Sequence, residues 1–275
     1  MNSVGAEFKI LGSSSSGNAA LLRTYEFTIL IDAGFSGKRL RSMLSKEGLD
    51  ATDLDAVFLT HEHNDHSCGV RGLSSRSDLP FFANRDTAKA IQSGLTRRAH
   101  WKIFETGLPF QFRGLKVSPF SIPHDAYDPV GFLFEWGGDD LFLPRESLAW
   151  VTDLGFGTEL VRKKIKAAQT LVIETNYDEE LLDRDPRRPW SLKQRIKGRH
   201  GHLSNRDAFE LLEGVESPAW RKIFLAHLSK DCNEVSRVTE IFSEFSRPGC
   251  TLSVVDPRNG DLVTVSPASV TGTYG

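Results

Sequence analysis

The segment HEHNDH at residues 61–66 directly follows a short apolar run, and the fold prediction depends on it. Alternate side chains of an extended chain point the same way, so His61 and His63 can face one metal ion. Asp65 and His66 come where the chain turns, and they can face a second ion nearby. Imidazole nitrogens and carboxylate oxygens are the ligand set expected for zinc, with manganese or iron as alternatives. The segment therefore predicts a site for two divalent ions.

A polar loop that holds histidines by chance is the plain alternative for this segment. Four of its six residues are potential ligands, whereas the whole chain of 275 residues has only 8 histidines. That concentration favours a metal site over a chance loop.

Two ions need further ligands, and three candidates follow strand-like runs later in the chain. They are His124 in SIPHD, Asp153 in VTDLG and His227 in FLAHL. A single His or Asp after a strand is more often a hydrogen-bonded loop residue, so each signal alone is weak. Together they supply ligands of the right type where side chains reach out of a sheet edge, and Asp153 could bridge both ions.

Composition indicates a soluble globular chain with no general affinity for nucleic acid. Hydrophobic residues make up 39% and charged residues 25% of the chain, and the formal net charge is −2. Any basic binding surface must therefore be local. The length is compatible with one large domain or two small ones.

Cellular location is predicted to be cytoplasmic. The first residues lack a signal-peptide pattern, and no apolar run is long enough to cross a bilayer, so no membrane partner is expected. The three cysteines, Cys68, Cys232 and Cys250, lack paired spacing, which argues against a disulfide framework or a cysteine zinc site. The sequence leaves protein partners and oligomeric state open.

Strand-like and helix-like runs alternate along the chain, which favours α/β or α+β layers. The predicted strands are Phe8–Leu11, Ala19–Thr24, Phe27–Ile31, Ala56–Thr60, Leu115–Ser121, Val130–Trp136, Ala149–Thr152, Thr170–Glu174 and Ile223–Ala226. The first predicted helix starts after the N-cap Ser36 and ends at Gly48. The other predicted helices are Asp86–Gln92, Glu159–Ala167, Asn205–Glu213 and Glu234–Phe245. The stretch 137–150 is longer than a simple hairpin requires, and residues 267–275 are predicted to be a flexible tail.

The order HxHxDH, His, Asp, His resembles that of the metallo-β-lactamase superfamily from about residue 8 to residue 265. The resemblance implies an αββα sandwich, with two mixed sheets, helices outside and metals at one sheet edge. We therefore expect a single domain over residues 1–266. Asp32 in ILIDAG matches the family's early aspartate, which supports the metal loop by hydrogen bonding and is not itself a ligand.

Two branches of the superfamily fit poorly. True lactamases carry a cysteine or another residue where Asp153 stands, and the di-iron oxidoreductases have glutamate at the position of His63. Both comparisons favour a hydrolase with a bridged pair of ions.

A second histidine segment, RHGHLSN at residues 199–205, narrows the resemblance further. RNase Z-like phosphodiesterases carry a similar segment whose histidine acts as a general acid, which implies that role for His202. The segments LGSSSSGN (11–18), HDA and DPVG (124–131), LKQRI (192–196) and GHLSN (201–205) are similar to the WalJ/YycJ group of metallohydrolases. That group is linked to DNA exonuclease activity, with 5′–3′ polarity as one expectation.

A phosphate-containing substrate is also suggested by the run Arg184–Arg199, which holds seven cations and one acid. Trp190 within it could stack on a base. A solvated face that pairs with acids elsewhere explains the run equally well. Candidate substrate contacts come from this run, from the serine-rich turn and from GHLSN; they are Ser15, Ser16, Asn18, Lys193, Arg195, Ser204 and Asn205.

The predicted reaction is metal-assisted hydrolysis of a phosphodiester, with DNA as the favoured substrate. Asp65 would orient or deprotonate the water, and His202 would protonate the leaving oxygen. The alternatives are an RNA-processing nuclease of the RNase Z type and a thioester hydrolase of the glyoxalase II type. A non-catalytic binding module is a further alternative, although a complete ligand set argues against it.

Overall fold

Two β-sheets form the centre of the fold in the computed structural model, which describes residues 6–138 and 145–265. The first sheet has six strands whose order in the sheet follows the sequence. They are β1 (Glu7–Ser14), β2 (Gly17–Arg23), β3 (Thr28–Ile31), β4 (Ala56–Phe58), β5 (Pro80–Ala83) and β6 (His100–Ile103). The first three strands pair antiparallel, and β3 to β6 run parallel.

The second sheet has eight strands, also in sequence order. They are β7 (Phe110–Phe112), β8 (Leu115–Ser121), β9 (Val130–Trp136), β10 (Glu146–Val151), β11 (Thr170–Glu174), β12 (Lys222–Ala226), β13 (Thr251–Val255) and β14 (Leu262–Thr264). Strands β10 to β13 run parallel, and the flanking pairs are antiparallel.

Most of the helices cover the outer faces of the two sheets. The helices are α1 (Gly37–Lys46), α2 (Asn64–Ser67), α3 (Val70–Leu73), α4 (Arg85–Ser93), α5 (Glu159–Lys166), α6 (Glu179–Arg184), α7 (Trp190–Ile196), α8 (Asn205–Glu213) and α9 (Val235–Phe242). Apolar side chains of α1, α3 and α4 pack on the first sheet, and those of α5, α8 and α9 pack on the second. None of these described helices is both long and apolar enough to cross a membrane.

Strand alternation explains why the sheets stack. In β3, Ile29 and Ile31 face the core between the sheets, whereas Leu30 faces the helices outside. The core between the sheets is rich in aromatic rings, and Phe58 packs edge-on against Phe134 with 5.6 Å between ring centroids. Burial of one such side chain contributes about 1.5–3 kcal/mol to folding. This two-sided burial produces the αββα sandwich.

The predicted αββα architecture is confirmed, and so is the N-cap of α1, where Ser36 Oγ accepts a hydrogen bond from Arg39 N. Strands β5, β6, β7, β13 and β14 lack a prediction, because each is short and without clear alternation. The predicted last helix, Glu234–Phe245, occupies only Val235–Phe242. Residues 139–144 of the predicted long hairpin and the predicted tail 267–275 lie outside the described residues. The single-domain boundary stays a prediction.

Parallel strands bring their carboxyl ends to one edge of the sandwich. In the first sheet, β3 and β4 end just before Asp32 and His61. In the second, β10 and β12 end just before Asp153 and His227, and β11 ends at Glu174 itself. Residues distant in sequence therefore meet at this edge.

Candidate active site

Three polar residues stand directly after strand ends with an unusual backbone conformation. Asp32, Asp153 and His227 all have a φ of 58°. This left-handed region is uncommon for residues other than glycine and carries strain that the surrounding structure must maintain. All three residues are almost completely buried, so the fold holds strained polar residues in its interior at one place.

The first ligand cluster consists of three imidazoles. His61 Nε2 lies 3.1 Å from His63 Nδ1, and His124 Nε2 lies 3.3 Å from the same His63 atom. One nitrogen from each ring falls within 4.8 Å of the others. Three nitrogens this close together could hold one cation.

The second cluster consists of Asp65, His66 and His227, with one ligand atom of each within 4.8 Å of the others. Asp65 Oδ2 lies 3.7 Å from His66 Nε2 and 3.6 Å from His227 Nε2. A carboxylate between two imidazoles could hold a second cation.

Asp153 lies between the two clusters. Its Oδ2 is 2.8 Å from His66 Nε2, and its Oδ1 is 3.6 Å from Nε2 of both His124 and His227. This carboxylate could therefore contact both cations, as the sequence predicts for Asp153.

Unsatisfied polar atoms test whether metal ions fit these clusters. Among the described residues, His227 Nε2 and Asp153 Oδ2 are buried without a hydrogen-bond partner, since the approach of His66 to Oδ2 lacks hydrogen-bond geometry. Leaving such an atom unsatisfied costs about 1–3 kcal/mol. Both atoms belong to candidate ligands, and nitrogen and oxygen donors of this kind suit divalent ions. The residues fit a pair of divalent cations.

Asp32 fixes the orientation of His66. Its Oδ2 lies 2.8 Å from His66 Nδ1 and accepts a 3.1 Å hydrogen bond from Trp150 Nε1. Its Oδ1 accepts bonds from the Thr60 backbone N and hydroxyl, both at 2.9 Å. With Nδ1 engaged, His66 presents Nε2 to the cation site, which is the supporting contact expected of Asp32.

Glu174 supports His227 as Asp32 supports His66, and the sequence did not single it out as a site residue. Its Oε2 lies 2.6 Å from His227 Nδ1 and 3.1 Å from His202 Nδ1, and it accepts a bond from Asp153 N at 2.9 Å. Its Oε1 accepts from Leu203 N at 2.8 Å. The carboxylate is completely buried and joins a candidate ligand to the candidate general acid.

The signal for Glu174 was present in LVIET, where an acid ends a fully apolar strand. Asp32 has the same pattern in ILIDAG, but it was predicted as a site residue from the resemblance to the metallo-β-lactamase superfamily and not from this pattern. An ionisable group at the end of a buried strand is therefore a usable marker for this kind of site.

Mutual charge shifts the pKa values of the buried groups. Burial raises the pKa of Glu174, but the charges of His202 and His227 and their hydrogen bonds outweigh it and lower the value to about 2. Burial lowers the pKa of His227, but Asp153 and the contacts to Asp65 and Glu174 raise it to about 10. Without metal, the cluster therefore stores protons that a cation would displace.

His202 lies between α7 and α8 and lines the cavity above the clusters. Its side chain is 21% exposed, and its Nδ1 hydrogen bond to Glu174 leaves Nε2 for the cavity. Burial lowers the pKa of His202, but the charge of Glu174 and the hydrogen bond raise it above its usual value. The ring is therefore held in one orientation, and its protonated form is favoured relative to that of a free imidazole.

The cavity itself has a volume of about 240 Å³ and opens over both clusters. Its wall includes Ser15, Asp125 and Arg195 in addition to the candidate ligands. The Arg195 guanidinium forms an ion pair with Asp125, which joins α7 to the loop that follows β8.

Two of the proposed substrate contacts, Ser15 and Arg195, lie on the cavity wall. Ser16 is exposed next to it in sequence. The other four proposed contacts are buried in the protein, and they are Asn18, Lys193, Ser204 and Asn205.

Internal hydrogen bonds engage the polar groups of all four buried residues. Asn18 Nδ2 donates to the Ser14 carbonyl oxygen at 3.0 Å, and Lys193 Nζ donates to the Asp183 carbonyl oxygen at 2.7 Å. Ser204 caps the start of α8 in a capping box with Asp207. Asn205 exchanges two side-chain hydrogen bonds with Asn233, at 3.0 and 2.8 Å. The polar groups at these positions stabilise the loops, and their expected contacts with a substrate stay predictions.

The basic run Arg184–Arg199 is not a free positive surface. Its cations pair with acids, mostly from outside the run: Arg184 with Glu180, Arg187 and Arg188 with Asp185 and Asp231, Arg195 with Asp125, and Lys197 with Asp183. Arg199 stacks on Phe156, 4.2 Å from the ring centroid. The interpretation as a solvated, paired face therefore fits most of the run.

A histidine- and aspartate-lined cavity at the strand ends of an αββα sandwich defines a class of metal-dependent hydrolases. The chain belongs to this class: residues 28–227 match the family described as the Beta-lactamase superfamily domain. The chain is 35% identical over 240 residues to exodeoxyribonuclease YycJ of Bacillus anthracis, covering 86% of this chain and 88% of the relative. It is 35% identical over 247 residues to exodeoxyribonuclease WalJ of Streptococcus pneumoniae, covering 88% and 89%.

Among solved structures, the metallo-β-lactamase fold protein YhfI of Bacillus subtilis is similar, with a TM-score of 0.68. The two share 17% identity, and the match covers 94% of this chain and 98% of YhfI. At this identity the likeness concerns the fold alone, and it supports the αββα description.

Proposed function

We propose that this chain is a metal-dependent exodeoxyribonuclease. The observation that carries the proposal is the placement of His202, held by Glu174 at 3.1 Å on the wall of a cavity whose floor is the ligand clusters. The YycJ and WalJ relatives, which match nearly the whole chain, carry that activity in their names and support the proposal.

We assign one cation to His61, His63 and His124, a second to Asp65, His66 and His227, and a shared contact to Asp153. The preponderance of imidazole favours zinc, with manganese as the principal alternative. When bound, two such ions would lower the pKa of water and neutralise charge on a phosphate.

The protein side chains would handle the protons. His202 directs Nδ1 to Glu174, so a proton on Nε2 is available to the leaving oxygen of the scissile phosphodiester. Asp65 lines the same cavity, and its carboxylate can orient the attacking water and accept its proton. Ser15 and Arg195 stand on the wall, where a hydroxyl and a guanidinium can bind phosphate oxygens.

His202 also separates the candidate reactions. The alkoxide that leaves a phosphodiester is a strong base and needs a proton, whereas the thiolate that leaves a thioester is a much weaker base. A positioned general acid therefore favours phosphodiester hydrolysis over thioester hydrolysis. An RNA-processing nuclease would use the same groups and remains the alternative that only substrate assays distinguish.

The test is a substrate panel with zinc-loaded and manganese-loaded protein. It contains single- and double-stranded DNA labelled at the 5′ or the 3′ end, a structured RNA and a thioester, and Asp153→Asn serves as the inactive control. We expect stepwise shortening of DNA from one end, with the label position revealing the polarity. Efficient cleavage of the RNA or the thioester with intact DNA would contradict the proposal.

We also propose a cytoplasmic location, since Cys68, Cys232 and Cys250 are all free thiols, as expected in a reducing compartment. Alkylation of all three cysteines in freshly lysed cells would support it. Protection that disappears only after reduction would contradict it.

A further inference from the structure

A second groove, with a volume of about 440 Å³, runs between α4 and the edge strand β6. We call it the α4–β6 groove; Arg85, Lys89, Arg98, Trp101 and Ile103 line it. Trp101 is half-buried, whereas Ile103 is 53% exposed. The groove thus combines an apolar floor with exposed cations, and it shares no described lining residue with the ligand cavity.

The cations of this groove have no internal counter-charge. Arg85, Lys89 and Arg98 are exposed, and none forms an ion pair with any residue in the described ranges 6–138 and 145–265. The described lining of the groove contains no acidic side chain. This contrasts with Arg184–Arg199, whose charges are largely neutralised, so the α4–β6 groove is better suited to an anionic ligand.

Two hydrogen bonds link one end of the groove to a loop of the ligand cavity. Asn84 caps the start of α4 and donates Nδ2 to the Asp128 carbonyl oxygen at 2.6 Å. Thr106, just after β6, donates its hydroxyl to Asp128 Oδ2 at 2.7 Å. Asp128 belongs to the loop 122–129, which also carries His124 in the cavity wall. The same loop exposes Tyr127, which is 76% accessible.

We propose that the α4–β6 groove binds the DNA strand that extends away from the metal site. This inference rests on the proposed function. Arg85, Lys89 and Arg98 would bind successive phosphates, and bases would stack on Tyr127 and the rim at Trp101. The nine residues of α4 span about 13 Å, which corresponds to about four base-pair steps along a DNA duplex. The positive charge of the lining, together with the hydrogen bonds from Asn84 and Thr106 to the loop of the cavity wall, favours DNA over an acidic peptide as the occupant.

The test compares substrates of different length on the full-length, metal-loaded protein. Lys89→Glu with Arg98→Glu turns two of the three groove cations into acids, and Lys163→Glu with Lys166→Glu makes the same change on α5, an exposed helix of the opposite layer. The substrates are a 20-nucleotide single-stranded DNA and bis(p-nitrophenyl) phosphate, which cannot reach the groove. Binding of the labelled 20-mer is measured by fluorescence anisotropy at several salt concentrations.

The groove variant should lower kcat/KM on the 20-mer by tenfold or more through KM, with the small diester unchanged. The slope of log K against log salt should become shallower by roughly 0.7 for each lost phosphate contact. The α5 variant should match the parent on both substrates. A kcat/KM on the 20-mer within twofold of the parent, or an equal loss on both substrates, would overturn the inference.

Two outcomes separate this inference from the proposed function. If the parent degrades DNA and the groove variant is unaffected, the groove inference fails and the nuclease assignment stands. If the parent cleaves no DNA, the nuclease assignment fails. A labelled Glu- and Leu-rich peptide that binds the groove and resists competition by DNA would overturn the inference in favour of a protein partner.

Discussion

Glu174 Oε2 lies 2.6 Å from His227 Nδ1, so a buried carboxylate fixes the ring of a candidate metal ligand. The same oxygen lies 3.1 Å from His202 Nδ1. One side chain therefore sets the orientation of a ligand and of the candidate proton donor, although it faces neither the substrate nor, in our assignment, a cation. We regard Glu174 as a positioning residue.

Glu174→Gln should weaken binding of the second cation by about 10–100-fold, because the supporting hydrogen bond to His227 loses its charge. It should also lower the pKa of His202, since the charge of Glu174 raises it. A general acid acts only when protonated, so the fall of kcat with rising pH should begin at lower pH. Metal titration and a kcat–pH profile measure the two effects.

Glu135→Gln is the matched control, because within residues 6–138 and 145–265 Glu135 forms a single ion pair, with the exposed Lys116 at 2.8 Å. It should leave both measurements unchanged. Parent-like metal affinity together with a parent-like pH profile in Glu174→Gln would show that the carboxylate is not needed at the site.

The sequence could predict the candidate ligands because strand ends carry them. HEHNDH, His124, Asp153 and His227 each follow an apolar run. The strands before them run in the same direction within each sheet, which brings their ends to one edge. Charge pairing could not be predicted in the same way. Arg188 pairs with Asp231 and Arg195 pairs with Asp125, and the two members of each pair are far apart in the sequence and come together only in the folded chain. The run Arg184–Arg199 therefore looks strongly basic only when the charges within the run are counted without the acids that pair with them in the fold.

His63→Ala should lose most of the first cation, because two imidazoles remain in a cluster of three. The second cation should stay near full occupancy. Elemental analysis of protein dialysed against buffered metal checks this, with His200→Ala as the control because His200 is exposed. Two retained ions per chain in His63→Ala would contradict the assignment of that residue.

Metal binding should release protons near neutral pH. The pKa of His227 is raised from 6.5 to about 10 in the absence of metal, and that of His66 is also raised well above 6.5. A cation requires the neutral imidazole, so the apparent Kd should fall as pH rises from 7 towards 10, by about tenfold per pH unit for each proton released. Calorimetry in buffers of different ionisation enthalpy counts the protons.

The same shifts give the metal-free protein a stability window. The contribution of His227 is complete below 6.5 and is lost as pH rises through about 10. Glu174, with its pKa lowered from 4.5 to about 2, contributes above 4.5 and loses that contribution as pH falls through 2. The Tm of the metal-free protein should therefore be highest between pH 4.5 and pH 6.5, where both contributions are complete. A Tm that climbs steadily from pH 6 to pH 10 would contradict the shifts.

The arginines of the run Arg184–Arg199 should differ in effect. Arg187→Gln with Arg188→Gln should change KM for DNA less than twofold, because both side chains are already paired with Asp185. Arg195→Gln should raise KM several-fold, since Arg195 lines the cavity. Steady-state kinetics on one DNA substrate compares the variants directly. A larger effect from the double variant would restore the run as a DNA-binding surface.

Alanine variants of His202 and His227 should differ in metal content, Tm and turnover. His227→Ala should lower metal content and Tm, because its Nε2 lies 3.6 Å from both Asp65 and Asp153 in the second cluster. His202→Ala should keep both ions and a near-parent Tm, while turnover of DNA falls by about 10²–10⁴-fold, the range for a lost general acid. The loss should shrink on bis(p-nitrophenyl) phosphate, since nitrophenolate leaves without protonation. Metal loss in His202→Ala, with full occupancy in His227→Ala, would mean that the two roles are exchanged.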